Sequence, residues 1–305
     1  MDVPIKPRAL APGDTVGVVA VAAAVDAACL QRGAAALLDC GYRVKLSPHA
    51  CERSGMLAGD DRLRAHELTR FFQDPEVKAV FAARGGYGSG RLLPLLDFAE
   101  LARTPKIFVG FSDVTFLLNA LFQSAHMITF HGPMVATDFA HGLSSHARCH
   151  LQALLSGSRT LEWHAAEVLR PGNAQGRLIG GCLSVIAAMM GTPWQPLFDG
   201  RILFLEDTGE KAYRIDRMLV QMAQAGVLDR VAGIVFGSLR PVDTSAQERA
   251  SIAESVREHT CRLQCPVLGG IAAGHGTENL TLPLGVNVRL DANAGKMTLC
   301  EAAVS

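Results

Sequence analysis

Five short apolar runs, separated by segments of helical period, constrain this chain more than any other feature. Residues 15–21 are a continuous β-branched run, and 42–46, 77–82, 107–109 and 128–130 read as further short strands. That is the pattern of strands buried on both faces. Between them, residues 26–40 and 60–72 space their apolar side chains for helices, and another helix follows Ser112. Buried strands joined by helices require a doubly wound parallel sheet, whose ligand sites form in the loops at the strand C-termini. Gly157, Ser158, Pro171, Gly172 and Asn173 then loosen the pattern. Beyond them come predicted strands at 175–179, 201–206, 231–236 and 266–268, and helices at 183–190, 213–224 and 246–259. Residues 286–290 and 297–300 complete the set as a hairpin. The expected organisation is an N-terminal domain over 1–157, a linker over 158–173 and a C-terminal α/β domain over 174–305, consistent with a length of 305 residues.

Charge narrows the function classes. Lys plus Arg and Asp plus Glu both total 29, so the chain as a whole offers no electrostatic basis for binding nucleic acid or an anionic membrane. No run approaches the ~20 apolar residues of a membrane span. Cys29, Cys40, Cys51, Cys149, Cys182, Cys261, Cys265 and Cys300 form no C-x-x-C pair and lack the partners of a zinc site. Scattered thiols of this kind suit a reducing compartment, and the expected location is cytoplasmic. Lys6 and Arg8 precede the apolar residues 16–24, and Ala27-Ala28-Cys29 loosely imitates a cleavage site. The run is short, Pro12-Gly13-Asp14 interrupts its approach, and Asp26 is charged where cleavage regions are neutral, so no leader is expected.

Chemistry concentrates in four places. Gly110-Phe111-Ser112-Asp113-Val114 follows an apolar strand and opens a helix. A serine there either caps the helix or is pushed out of the sheet as a nucleophile beside helical N–H groups, although the second glycine of the usual nucleophile elbow is missing. Arg84-Gly85-Gly86-Tyr87-Gly88-Ser89-Gly90 also follows a strand. It matches neither a P-loop nor G-x-G-x-x-G, and can aim backbone N–H groups at a phosphate or at another anion. Glu206 ends a strand, either as a site carboxylate or as the acidic start of the next connection. His275 stands between glycines in a loop, and His131 is its one rival, since it too follows a strand. No H-x-H or H-E-x-x-H occurs, so no metal is expected.

Taken in order, Gly17-Val18-Val19-Ala20, Ala83-Arg84-Gly85-Gly86-Tyr87-Gly88, Val109-Gly110-Phe111-Ser112-Asp113, Gly180-Gly181-Cys182-Leu183, Phe204-Leu205-Glu206-Asp207, Tyr213-Arg214-Ile215-Asp216-Arg217-Met218-Leu219, Gly274-His275-Gly276 and Leu280-Thr281-Leu282-Pro283-Leu284-Gly285 resemble the LD-carboxypeptidase family of serine peptidases. That family comprises the muramoyl-tetrapeptide carboxypeptidases and also includes microcin-immunity hydrolases. The resemblance implies a flavodoxin-like parallel-sheet N-terminal domain and a smaller α/β C-terminal domain. It implies a catalytic triad of Ser112, Glu206 and His275, with an oxyanion hole of backbone N–H groups at Asp113 and Gly86. It further implies a homodimer without cofactor that releases the terminal D-alanine of murein tetrapeptides in peptidoglycan recycling. A carboxypeptidase must also bind a free carboxylate, for which Arg84, Gly85 and Arg240 are the candidates. Phe111 and Cys182 depart from the family pattern, which carries Tyr and Asn there. The alternatives are hydrolysis of another amide, such as an aminoacyl-nucleotide antibiotic stacked on Trp194, or a flavodoxin-like nucleotide-binding module using the Gly85–Gly90 loop.

Overall fold

The apolar runs of the first half pair into one sheet. The computed structural model describes residues 3–305; residues 1 and 2 of the expected N-terminal domain lie outside them. Strands β1 (Thr15–Val19), β2 (Arg43–Leu46), β3 (Val77–Ala82), β4 (Ile107–Gly110) and β5 (Thr129–His131) lie in the order 2-1-3-4-5. Every neighbouring pair among them is parallel. This is the flavodoxin-like order. Every residue of β1 and β4 is buried, which is why their sequences show no alternation. Helices α1 (Ala27–Asp39), α2 (Asp61–Gln73), α3 (Phe98–Arg103), α4 (Thr115–Ala125) and α5 (Ser145–Leu155) fill the connections. Asp26 and Asp60 fix the starts of α1 and α2 by accepting the N–H groups of Cys29 and Leu63 at 2.9 and 2.8 Å.

The chain divides into two compact units. The first runs to Ser158 and adds Thr281–Pro283 and Ala303–Ser305 from the far end of the chain. Its sheet gains a sixth strand beside β5, Leu282–Leu284. The sequence expectation that 174–305 forms one block is corrected accordingly, because Leu282-Pro283-Leu284 is too short to read as a strand until β5 supplies its edge.

The second unit comprises Arg159–Leu280 and Leu284–Ala302. It contains β6 (Glu162–His164), β7 (Glu167–Arg170), β8 (Asn173–Cys182), β9 (Ile202–Glu210), β10 (Gly233–Pro241) and β11 (Val267–Gly269). With Leu282–Leu284 counted as β12, β13 (Asn287–Asp291) and β14 (Lys296–Leu299) complete the set. The eight strands of this unit lie in the order 6-14-13-8-9-10-11-7. Strands β8 to β11 form a parallel centre, and β13 and β14 make the expected antiparallel hairpin. Residues 159–173, read from sequence as linker, instead supply both edge strands. Trp163 of β6 is fully buried and pairs with Met297, while β7 runs antiparallel to β11. Helices α6 (Leu183–Met189), α7 (Ala212–Gln224), α8 (Val227–Arg230) and α9 (Ala246–Thr260) cover the sheet's connections. Helix α7 buries Ile215, Leu219 and Met222. Among the described residues, no helix is long and apolar enough to cross a membrane.

One backbone approach in this unit admits no side chain. Gly180 has φ +117°, and a Cβ there would lie 2.0 Å from the Phe204 carbonyl oxygen. The contact holds β8 against β9 and brings Cys182 opposite Glu206. Gly180→Ala combines left-handed strain with a clash against backbone, and is expected to cost on the order of 4 kcal/mol. Thermal unfolding should register a Tm lower by roughly 10 °C; an unchanged Tm would contradict the close approach.

Candidate active site

Ser112 begins a 3-10 turn that leads from β4 directly into α4. Its φ is +59°, a left-handed conformation that only one other non-glycine residue adopts among the described residues, His126 at a helix C-terminus. The turn carries no side-chain capping bond, so Ser112 is not the N-cap that the sequence also permitted. L-residues enter this region at a cost of about 1–2 kcal/mol, and such strain is concentrated at functional sites. Here it lifts the serine out of the strand's path.

The glycine-rich loop after β3 packs on that serine. A Cβ on Gly85 would lie 3.0 Å from the Ser112 Cβ and 3.3 Å from its Oγ, so the bare backbone is what lets the loop come this close. Asp113 ties the two segments together. Its carboxylate accepts the N–H groups of Gly88 at 3.2 Å and Ser89 at 2.7 Å, and its carbonyl accepts the Ser89 hydroxyl at 2.6 Å. The backbone N–H groups of Gly86 and Asp113 have no acceptor among the described residues, as an anion-binding pair requires.

Arg64, which sequence reading passed over, holds the same loop from the opposite side. It is 1% exposed, donates to the carbonyls of Val21 at 2.7 Å and Gly88 at 3.0 Å, and pairs with Asp61. Its signal was present in the sequence. Arg64, Leu68, Phe71 and Phe72 share the buried face of α2, so a cation takes a place in its apolar spacing. Arg64→Met strands the Val21 carbonyl, while that of Gly88 keeps the Arg91 N–H, and is expected to cost about 2 kcal/mol, with Arg64→Lys intermediate. Chemical denaturation should show this as a lower midpoint at constant m.

In the second unit Glu206 is fully buried within β9, opposite Cys182 where the β8–β9 register ends, and the strand runs on to Glu210, past the end read from sequence. Its Oε2 accepts the Nδ1–H of His275 at 2.7 Å and the His275 backbone N–H at 3.0 Å. A carboxylate only accepts, so the proton sits on Nδ1 and leaves Nε2 able to take another. The preceding residue makes this pairing possible. Gly274 has φ +91°, and a Cβ there would lie 2.3 Å from Oε2. Asn279 secures the loop by accepting the Gly274 N–H at 2.8 Å. Glu206 is thus hydrogen-bonded to His275 and does more than begin the next connection. His131 is fully buried in the first unit, edge-on to Phe111 at 5.6 Å, and belongs to the core.

The remaining candidates have structural partners of their own. Arg84 is exposed and donates to the Ala24 carbonyl at 3.2 Å, and Arg240 is exposed and donates to the His275 carbonyl at 2.9 Å. Cys182 is buried beside the Ser184 hydroxyl at 3.3 Å. Burial, reinforced by Asp207 and Glu206, pushes its thiol well above the ordinary range, so it is not a reactive thiolate. Asp207 accepts the N–H groups of Ser184 and Thr208, and burial raises its own pKa.

Residues 16–132 match the family described as LD-carboxypeptidase N-terminal domain, and residues 175–290 match the LD-carboxypeptidase C-terminal domain. A probable murein peptide carboxypeptidase of Bacillus subtilis is 37% identical over 98% of this chain and 95% of its own length. Among solved structures, a muramoyltetrapeptide carboxypeptidase from Oxalobacter formigenes superposes with a TM-score of 0.84 at 34% identity, covering 93% of this chain and 97% of that one. The microcin C7 self-immunity protein MccF, known from Escherichia coli, superposes with a TM-score of 0.91 at 25% identity, covering 99% of this chain and 100% of its own. With both domain matches in chain order and this identity sustained over nearly the whole length, the chain belongs to the LD-carboxypeptidase family of serine peptidases.

Proposed function

We propose that this protein is a serine-type LD-carboxypeptidase that releases the terminal D-alanine of murein tetrapeptides by cleaving an L,D-amide bond. The observation that carries the reading is the hydrogen bond between buried Glu206 and His275, which orients an imidazole and leaves its Nε2 basic. The strained Ser112 and the names of the relatives support it. Ser112 Oγ attacks the amide carbonyl while His275 Nε2 takes its proton, and Glu206 stabilises the imidazolium. The N–H groups of Asp113 and Gly86 receive the oxyanion, each contributing about 3 kcal/mol. His275 then protonates the departing D-alanine nitrogen, and water releases the acyl-enzyme by the reverse sequence. Arg84, Gly85 and Arg240 are the candidates for holding substrate. On this reading the protein acts as a cytoplasmic homodimer in peptidoglycan recycling, without a cofactor.

Free D-alanine should accumulate when the protein is incubated with a murein tetrapeptide. Its absence, with the protein folded, overturns the proposal. A second reading draws on the likeness to MccF, one structure of which holds aspartyl sulfamoyl adenosine. Release of aspartate from that compound, with no D-alanine from the tetrapeptide, would favour hydrolysis of aminoacyl nucleotides instead.

A further inference from the structure

Arg64 is a cation where stability alone does not call for one. It is 1% exposed, and a buried ion pair adds little that a well-packed apolar side chain of similar volume would not. Its contacts point to another task. Asp61 pairs with Nη2 and also accepts the Nε–H of Arg91, at 3.0 and 2.9 Å from its two oxygens. The opposite nitrogen, Nη1, donates to the Val21 carbonyl at 2.7 Å and to the Gly88 carbonyl at 3.0 Å. One atom thus joins the segment after β1 to the glycine-rich loop after β3. Gly88 is gripped at both ends, since its N–H reaches the Asp113 carboxylate at 3.2 Å. A Cβ on Gly88 would lie 2.9 Å from Nη1, so the guanidinium seats closely only against glycine.

A second bond between the same two segments sets the direction of one peptide. The Ala23 N–H donates to the Gly85 carbonyl at 3.2 Å. In a planar trans peptide the carbonyl and the following N–H point opposite ways, so the Gly86 N–H faces away from Ala23. Arg64 holds Val21, just before Ala23, and Gly88, just after Gly86, and therefore braces both sides of this bond. We infer that Arg64 is a positioning residue for the reaction, one that aims the Gly86 N–H at the developing oxyanion. The inference rests on the carboxypeptidase reading, in which that N–H is one of two oxyanion donors. A donor tilted out of line loses transition-state stabilisation, while binding of the ground-state peptide changes little.

The test compares the wild type with Arg64→Lys, Arg64→Met and Leu154→Ala, all assayed well below their Tm. Leu154→Ala truncates a buried side chain of α5 and serves as a control for lost stability alone. Two quantities are read: kcat and KM for D-alanine release, and the inhibition constant of a peptide boronic acid ending at the residue before D-alanine. The boronate formed on a serine hydroxyl places a charged oxygen where the oxyanion forms. Arg64→Met should lower kcat by roughly fiftyfold with KM within about twofold, and raise the boronate constant by a similar factor. In Arg64→Lys an ammonium can still reach a carbonyl, and kcat should fall only about fivefold. Leu154→Ala should melt lower and keep the wild-type kcat. An undiminished kcat in Arg64→Met overturns the inference, as it does in Arg64→Lys if the methionine variant fails to fold. So does a boronate constant that stays put while kcat falls, or an equal loss of kcat in Leu154→Ala. Each of these leaves the carboxypeptidase reading standing. No D-alanine from the wild type overturns that reading, and the inference with it.

Discussion

Ser112→Ala is expected to lower kcat for D-alanine release by about a millionfold, the scale seen when a serine peptidase loses its nucleophile. The fold should survive. The serine makes no capping bond, its neighbours Asp113 and Ser89 hold the turn through other atoms, and the removed hydroxyl leaves no helical N–H stranded. A companion variant separates chemistry from strain. Ser112→Gly removes the same hydroxyl but relieves the left-handed backbone, so it should be more stable than Ser112→Ala by about 1 kcal/mol. Both variants should be equally inactive. Turnover retained in either would remove Ser112 from the mechanism, and equal stabilities would remove the strain argument.

The second large effect falls on the Glu206–His275 pair. In Glu206→Gln an amide oxygen can occupy the place of Oε2 and still accept both His275 N–H groups, so the ring keeps its orientation. What disappears is the negative charge that stabilises the imidazolium, and kcat is expected to fall by roughly a thousandfold with little change in KM. Gly274→Ala reaches the same pair without touching an ionisable group. Its methyl would overlap the carboxylate that His275 needs, since the built Cβ lies 2.3 Å from Oε2. A loss of activity comparable to that of Glu206→Gln is expected, together with a Tm lowered by the strain at φ +91°. Full activity in Gly274→Ala would show that the pairing is not required. Steady-state kinetics at saturating peptide, beside a thermal melt, distinguish these outcomes.

Local chemistry was readable wherever neighbours in sequence decide the outcome. The capping aspartates Asp26 and Asp60 mark their helices to within a residue, and the predicted strand 77–82 is β3 residue for residue. The same holds for α6 and α9, whose observed ends lie within one residue of the predicted ones. Strands β6 and β7 escaped because only one residue in the first is buried, and none in the second. Their existence depends on partners far along the chain, Met297 and its neighbours for β6 and β11 for β7. Asp113 looked like an ordinary acidic residue in a first helical turn. Its task, to hold the N–H groups of Gly88 and Ser89, becomes visible only when two loops after adjacent strands meet.

What sequence alone determined is the alternation of buried strands and helices, and with it the parallel architecture, because hydrophobic period and helix caps act over a few residues. It also placed Ser112 and His275 at a turn and in a loop, where polar side chains can face a ligand, whereas Glu206, read as ending its strand, lies within β9. Tertiary structure decided which of two permitted conformations Ser112 adopts, and that Glu206 meets a histidine 69 residues away. No local preference contains that second result. It follows from strand register and from a glycine that leaves room for a carboxylate, and both are properties of a packed chain.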